Sequence, residues 1–457
     1  MSNGNRKKLF GTDGIRGKAG EFPLDQQTIE MIGWSLTENL SRELGHTPAI
    51  VIGRDTRESG TEIQAALTRG ARFAGATVAS AGVITTPGVA FITRVEAFDA
   101  GVVISASHNP FRDNGIKVFS PTGKKLTDEM ERRIEEDLCG ADYDSHKLQA
   151  NRQAVEPLYD FGGFADEYLN YLATNIAGDL SLKGMRLAID CANGAASAFA
   201  PELFKILGAE IEVISASPDG RNINEQCGAL HMHALQTLVR SGKFAAGIAF
   251  DGDADRALFV DETGALVDGD YTLLLLAENL KASGRLTGNV VVSTVMSNIG
   301  LEIALRERGI EFVRAQVGDR FVLEEMLKRD ANLGGEQSGH IIIKEISLAG
   351  DGMITAIELL RAIRNSEQSL AQLTTAMKTY PQVLVNVYVN SKPVLESIPE
   401  VKAAMDILEA EMDGRGRLLV RYSGTENLAR VMIEGEDQTI IEEQANRLAA
   451  AIKKAIG

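Results

Sequence analysis

Two stretches decide the fold: Gly101-Val102-Val103-Ile104-Ser105-Ala106-Ser107-His108-Asn109-Pro110 and Gly247-Ile248-Ala249-Phe250-Asp251-Gly252-Asp253-Ala254-Asp255-Arg256. They align without a gap. Each begins as an apolar run too short for a lone helix, which reads as a buried strand. Each then breaks into a loop of small or charged side chains, and Pro110 stops the first from continuing as helix. Ligands of open α/β sheets gather at the carboxyl ends of such strands. Ser107 is therefore a candidate nucleophile or phosphate carrier, set against the plainer reading of a serine turn before a proline.

Working outward, a longer repeat contains these strands. Ala49–Gly53, Leu187–Asp190 and Val290–Ser293 each precede a small-residue turn and a helical pattern ending at Gly75, Gly208 and Gly309. A short second strand follows each glycine, the order expected of βαβ units. The period of roughly 100 to 140 residues is too long for a solenoid. It predicts three similar α/β domains in tandem, with Gly335-Glu336-Gln337-Ser338-Gly339-His340 at the third strand end. A charged segment over 139–157 marks the first boundary, and helical patterns are expected over 127–138, 158–176 and 351–378. After Pro381, the alternation from Val383 to Val389 opens a smaller α+β domain. The expected domains are 1–155, 156–256, 257–378 and 379–457, arranged around a central cleft.

Composition bounds the function. The 457 residues are 44% hydrophobic and 24% charged, with 63 acidic against 47 basic side chains and a net charge of −16. That balance argues against a nucleic-acid or anionic-membrane surface. Cys139, Cys191 and Cys227 lie far apart without CxxC spacing, which reads as buried thiols in a reducing compartment. No apolar h-region or membrane-length apolar stretch is present, so a cytoplasmic protein is expected.

Asp251, Asp253 and Asp255 alternate, so an extended loop points all three carboxylates one way. Hard oxygen ligands at that spacing suit Mg²⁺ or Ca²⁺. An EF-hand is excluded because Arg256 stands where that loop requires glycine. A phosphorylated serine would add a charge of about −1.5 to −2. Like charges about 4 Å apart repel by roughly 4 kcal/mol per pair at an effective dielectric of 20. Such a cluster stands only with a divalent cation, helped by Arg256 or another cation, so a phosphoserine oxygen completing a three-Asp metal site is the reading. Lys117, placed among cations, is expected to have a lowered pKa and to shuttle protons. Glu336, Ser338 and His340 alternate in a Gly-rich loop suited to sugar hydroxyls. Arg421, Ser423, Gly424 and Thr425 make an anion-binding nest suited to phosphate. Arg16 is the one long cation in the glycine-rich opening 9–17. His231 and His233 lack a third ligand nearby and read as structural or surface residues.

Taken together, the Phe10–Gly17 opening and the motifs at 105–110, 251–256, 335–340 and 421–427 resemble the α-D-phosphohexomutase family over nearly the whole chain. The opening, Val317-Gly318-Asp319-Arg320 and the 335–340 loop are most similar to bacterial members acting on glucosamine phosphates. The resemblance implies that Ser107 is the phosphorylated serine and that Asp251, Asp253 and Asp255 hold one Mg²⁺. It further implies that Arg16, His108, Lys117 and Arg256 act near the transferring phosphoryl group, with Lys117 as general acid/base. Glu336, Ser338 and His340 would read the sugar, and Arg421, Ser423, Gly424 and Thr425 the other phosphate. The implied reaction interconverts glucosamine 6-phosphate and glucosamine 1-phosphate through glucosamine 1,6-bisphosphate, in a monomer or homodimer. Two positions depart from the family pattern: Asn427, where proline is common, and Ala254, where glycine is common in those bacterial members. The competing readings are mannose or glucose phosphates as substrates, a non-catalytic phosphosugar sensor, and a metal-dependent phosphatase.

Overall fold

The computed structural model describes residues 9–11, 13–139, 163–412, 416–423 and 427–457. The chain divides into two compact units. The first, through Met296 and then Glu311–Thr375, contains three sheets.

The first sheet is built from β1 (Phe10–Gly11), β2 (Gly14–Lys18), β3 (Ala49–Arg54), β4 (Thr77–Val83), β5 (Ala100–Ile104) and β6 (Asp113–Phe119), in the order β1-β2-β6-β5-β3-β4. The second holds β7 (Arg186–Asp190), β8 (Glu210–Ile214), β9 (Ala246–Phe250), β10 (Ala257–Asp261) and β11 (Leu266–Val267), in the order β11-β10-β9-β7-β8. The third is β13-β12-β14-β15, from β12 (Val290–Thr294), β13 (Glu311–Ala315), β14 (Leu333–Gly335) and β15 (Ile341–Ile343).

The expected repeat is present in the hydrogen bonding. In each sheet the opening strand of the repeat (β3, β7, β12) runs parallel to the two that follow it. The third strand then turns back into an antiparallel partner: β5 with β6, β9 with β10, β14 with β15. Three β-hairpin connections therefore occupy equivalent places, and they carry the residues at 105–112, 251–256 and 336–340. The glycines expected to stop the three helices, Gly75, Gly208 and Gly309, all have positive φ, the left-handed conformation that satisfies the last helical carbonyls.

Packing fixes these hairpins. Val102, Ile104, Ile50 and Ile52 are buried under the first sheet's helices, each side chain contributing about 1.5–3 kcal/mol relative to exposure. The helices Gln26–Leu44 and Gly60–Phe73 approach so closely that a Cβ on Gly70 would lie 1.8 Å from the Glu30 carbonyl oxygen.

Two expectations need correction. The boundary at residue 256 would sever β9 from β10, yet they pair along five residues, so the second sheet runs on to Val267. The helix expected over 351–378 stops at Ser366, where Glu367 adopts φ 54°, and a capping box of Ser369 and Gln372 starts the separate helix Leu370–Thr374. The capping side chains offer the backbone a fresh start that periodicity does not register. The expected helix over 158–176 is seen as Gly163–Tyr171 followed by a π-helical turn at Leu172–Ile176, and 158–162 lie outside the described residues.

The second unit, Ser297–Ile310 with Ala376–Gly457, is the α+β domain. Its sheet, β16-β18-β17 (Gln382–Tyr388, Arg417–Tyr422 and Leu428–Glu434 for β16, β17 and β18), is wholly antiparallel. The helix Ile299–Glu307 belongs with it because Asn298 Nδ2 donates to the Tyr380 carbonyl (2.9 Å) and Glu434 Oε1 (3.2 Å).

Candidate active site

The serine loop is held from beneath. Ser107 adopts φ 50°, a left-handed conformation that costs roughly 1–2 kcal/mol for a residue with a Cβ. A fully buried guanidinium supports it. Arg57 donates to the carbonyl oxygens of Ser107 (2.9 Å), Asn109 (2.9 Å) and Asp113 (3.1 Å), and its Nε donates to Asp55 Oδ2 (2.9 Å). Asn224, from the second repeat, adds a donor to the same Ser107 carbonyl at 2.8 Å. Ser105 Oγ donates to Asp55 and accepts from the Ser107 N–H. Because backbone carbonyls take these bonds, the Ser107 hydroxyl remains available. It donates to Asp251 Oδ2 and lies 3.3 Å from His108 Nδ1.

The second hairpin brings Asp251, Asp253 and Asp255 together, all buried, with one oxygen from each within 4.8 Å of the others. Thr86 Oγ1 and Lys117 Nζ donate to Asp253 Oδ2 at 2.6 and 2.9 Å, and Lys117 reaches Asp255 Oδ2 at 3.2 Å. Asp253 Oδ1 and Asp255 Oδ1 are buried without a hydrogen-bond partner. Burial and then the neighbouring Asp255 and Asp253 carboxylates push Asp251 well above the usual carboxylate range. Three buried acids with two orphaned oxygens fit a hard divalent cation. The triad could bind a metal.

Lys117 corrects an expectation. It lies among carboxylates rather than cations: burial favours the neutral amine, but Asp13 at 3.1 Å, Asp253 and Asp255 hold it well above its ordinary value. His108 moves the other way. Burial, then Arg256 and Arg16, lower it to about 4, so its ring is neutral.

Arg16 pairs with Asp13, and Arg256 Nε lies 3.8 Å from Asp255 Oδ1. Arg16, His108, Arg256, Glu336 and His340 line one cavity of about 460 Å³. Glu336 accepts the Gly318 N–H (3.1 Å) and the Ser338 hydroxyl (3.3 Å), which places Ser338 beside it. His340 is buried, with Nδ1 3.8 Å from Asp255 and Nε2 3.7 Å from Asp319. Arg421 and Ser423 are in the second unit, at the end of β17 and just beyond it. Gly424 and Thr425 lie outside the described residues.

Cys191 and Cys227 are free and buried, as expected, while the Cys139 side chain lies outside the described residues. His231 and His233 are exposed, and Asp251, Asp253 and Asp255 form the one possible metal cluster among the described residues.

Sequence reasoning missed Asp13, Asp55, Arg57, Asn224 and Lys125 as parts of the site. Asp55 and Arg57 follow the first strand of the first repeat, and that strand-end position was the available signal.

The four segments of the chain match, in order, the domains described as "Phosphoglucomutase/phosphomannomutase": alpha/beta/alpha domain I over residues 7–143, domain II over 166–264, domain III over 268–380 and the C-terminal domain over 384–451. The chain belongs to the phosphoglucomutase/phosphomannomutase family. Among its relatives, the phosphoglucosamine mutase of Solibacter usitatus is 48% identical over 99% of both chains. That of Koribacter versatilis is 46% identical over 99% of this chain and 98% of its own. A solved family structure from Burkholderia thailandensis superposes with a TM-score of 0.78 at 25% identity, covering 98% of this chain and 97% of that one. In this family member the three hairpins of the first unit converge as the repeat anticipates. Among the described residues no helix is long and apolar enough to cross a membrane.

Proposed function

We propose that the protein interconverts glucosamine 6-phosphate and glucosamine 1-phosphate through a phosphorylated Ser107 and glucosamine 1,6-bisphosphate. The observation that carries this reading is the Ser107 hydroxyl hydrogen-bonded to Asp251 within a buried three-carboxylate cluster. Near-full-length relatives named phosphoglucosamine mutase support the choice of sugar.

In the forward direction the free O1 hydroxyl of glucosamine 6-phosphate attacks the phosphorus on Ser107. The new O1–P bond forms as the P–Oγ bond breaks, and the sugar's hydroxyl proton departs. His108, present as the neutral base, can accept that proton, and Lys117, present as the ammonium acid, can give one to the departing Ser107 Oγ. After the bisphosphate turns over, its 6-phosphoryl returns to Ser107 Oγ. Arg16 and Arg256 oppose the charge on the transferring phosphoryl group from the cavity wall. Asp251, Asp253, Asp255 and a phosphoserine oxygen would hold Mg²⁺, which would supply further electrostatic stabilisation. Glu336 and Ser338 accept and donate to sugar hydroxyls, and Arg421, Ser423, Gly424 and Thr425 hold the non-transferred phosphate. One related fold, the N-acetylphosphoglucosamine mutase of Aspergillus fumigatus, was solved with GlcNAc-6P and magnesium.

Intact mass and peptide mapping test this directly. A phosphoryl group on Ser107, loaded from glucosamine 1,6-bisphosphate and discharged by glucosamine 6-phosphate, is the expected result. A Ser107 that never accepts phosphate defeats the mutase reading. Ala254 favours a second substrate reading, mannose or glucose phosphates. Faster turnover of those sugars than of glucosamine 6-phosphate would establish it.

A further inference from the structure

We propose that Lys125 is a positioning residue for phosphoryl transfer, acting through Asp13 on Lys117 and Arg16. This rests on the functional reading above.

Lys125 closes a ring of six side chains in which acidic and basic groups alternate. Lys125 Nζ lies 2.6 Å from Asp13 Oδ1, and Asp13 Oδ2 lies 3.1 Å from Lys117 Nζ. Lys117 continues to Asp255 Oδ2 at 3.2 Å, and Asp255 to His340 Nδ1 at 3.8 Å. His340 Nε2 faces Asp319 Oδ2 at 3.7 Å, and that same oxygen takes Lys125 at 2.6 Å. The ring draws on all three repeats of the first unit. All six line a cavity of about 190 Å³, and Asp13, Asp255, Asp319 and His340 also line the neighbouring 460 Å³ cavity.

Asp13 is the member whose orientation Lys125 decides. One of its oxygens serves Lys125, and the other serves both Lys117 and Arg16. With Lys125 in place the carboxylate is anchored at both ends, so the oxygen facing Lys117 and Arg16 has a set position. Lys125 is itself well placed for this. Its backbone is fixed by the bridge from Phe119 to Lys125 and by the Leu126 N–H donating to the Val118 carbonyl. Asp319 is equally fixed, as the first residue of the helix Asp319–Arg329, and Glu336 accepts the N–H of the preceding Gly318. Lys125 thus joins the strand bearing Lys117 to the loop bearing Glu336. Removing its charge frees one Asp13 oxygen, lets that carboxylate turn, and loosens the two cations it aligns.

Steady-state kinetics on wild type, Lys125→Met and Lys125→Arg, with saturating Mg²⁺ and sugar bisphosphate, test the proposal. Lys125→Met should lower kcat by about 10²-fold, the scale of an ångström-level misplacement, while KM for the sugar 6-phosphate moves less than about threefold. Lys125→Arg, which keeps the charge, should recover kcat to within about tenfold of wild type. Should the Met variant fail to fold, Lys125→Gln carries the same expected split. An unchanged kcat in a folded neutral variant overturns the proposal, as does a raised KM at constant kcat, which would mark a direct substrate contact. A purely architectural role would lower the melting temperature and leave the kcat-to-KM split unmoved, and that also overturns it. Wild type inactive on glucosamine, mannose and glucose 6-phosphates defeats the functional reading together with this one. Active wild type with unaltered variants defeats only the role of Lys125.

Discussion

The hairpin carrying Ser107 and the hairpin carrying the three aspartates occupy the same place in two copies of one repeat, yet they are stabilised in opposite ways. Both follow the third strand of the repeat, both return antiparallel, and both contain a non-glycine residue in the left-handed region, Ser107 and Ala254. Beneath the serine loop, a buried cation and an amide donate to backbone carbonyls, so the side chain is spared. In the aspartate loop the side chains themselves are crowded, with orphaned oxygens and only Lys117, Thr86 and neighbouring groups to answer them. One loop is complete as folded. The other gathers three buried acids that could bind a metal.

The sharpest way to break that contrast is Asp253→Asn. If the aspartate loop needs a cation, this isosteric change should raise the Mg²⁺ required for half-maximal activity and lower turnover by about 10²-fold. Metal titration of activity reads both, and an unchanged Mg²⁺ dependence would remove Asp253 from the metal site. On the other side, Arg57→Met strips the serine loop of its guanidinium donors, with Asn224 remaining, and leaves Asp55 buried without its cation. Burial already pushes the Asp55 carboxyl up, against the pull of Arg57. Breaking such a pair should cost about 3–5 kcal/mol, measurable by urea denaturation. A loss under about 1 kcal/mol would show that surrounding packing, not Arg57, holds the loop.

A pH experiment separates the loops more finely. His108, beside Ser107, has a folded pKa near 4 against an ordinary 6.5. Between those values the folded chain binds fewer protons there than the unfolded chain. Its contribution to stability is therefore complete above pH 6.5 and is lost as pH falls towards 4. NMR of the His108 ring should show no titration down to about pH 5. A midpoint at the ordinary value would mean that the loop is open to water.

The smallest expected effect is Ala254→Gly. Relief of left-handed strain, about 1–2 kcal/mol, is offset by the greater freedom of glycine in the unfolded chain, about 0.5–1 kcal/mol. The net gain of about 0.5 kcal/mol should raise the urea midpoint without altering its slope. A loss of stability would show that the Ala254 methyl packs well enough to outweigh its strain.

How much was legible follows from what kind of interaction placed each residue. The repeat could be read because strand, turn, helix and glycine stop are local: Gly75, Gly208 and Gly309 end helices by their own conformational freedom. Ser107 and the alternating aspartates were legible because their chemistry sits on contiguous residues at strand ends. The break at Glu367 was not, since a capping box outweighed a continuous helical periodicity. The extent of the second sheet was not, since β10 belongs to it by hydrogen bonds to β9 rather than by any mark in its own residues.

The same division holds within the site. By itself the sequence determined which residues carry oxygen ligands, a hydroxyl and long cations, and that they fall on three equivalent loops. Only the tertiary structure decided their charge states. Lys117 reads as one cation among others along the chain, but folding surrounds it with Asp13, Asp253 and Asp255 and holds it protonated. Asp13, Lys125 and Asp319 are an acid, base and acid far apart in sequence, with nothing along the chain to pair them, and they meet at 2.6 Å. The reason is physical: donor and ligand types are properties of single residues, whereas pKa values and ion pairs depend on through-space distance and burial, which the chain acquires only when its three repeats pack together.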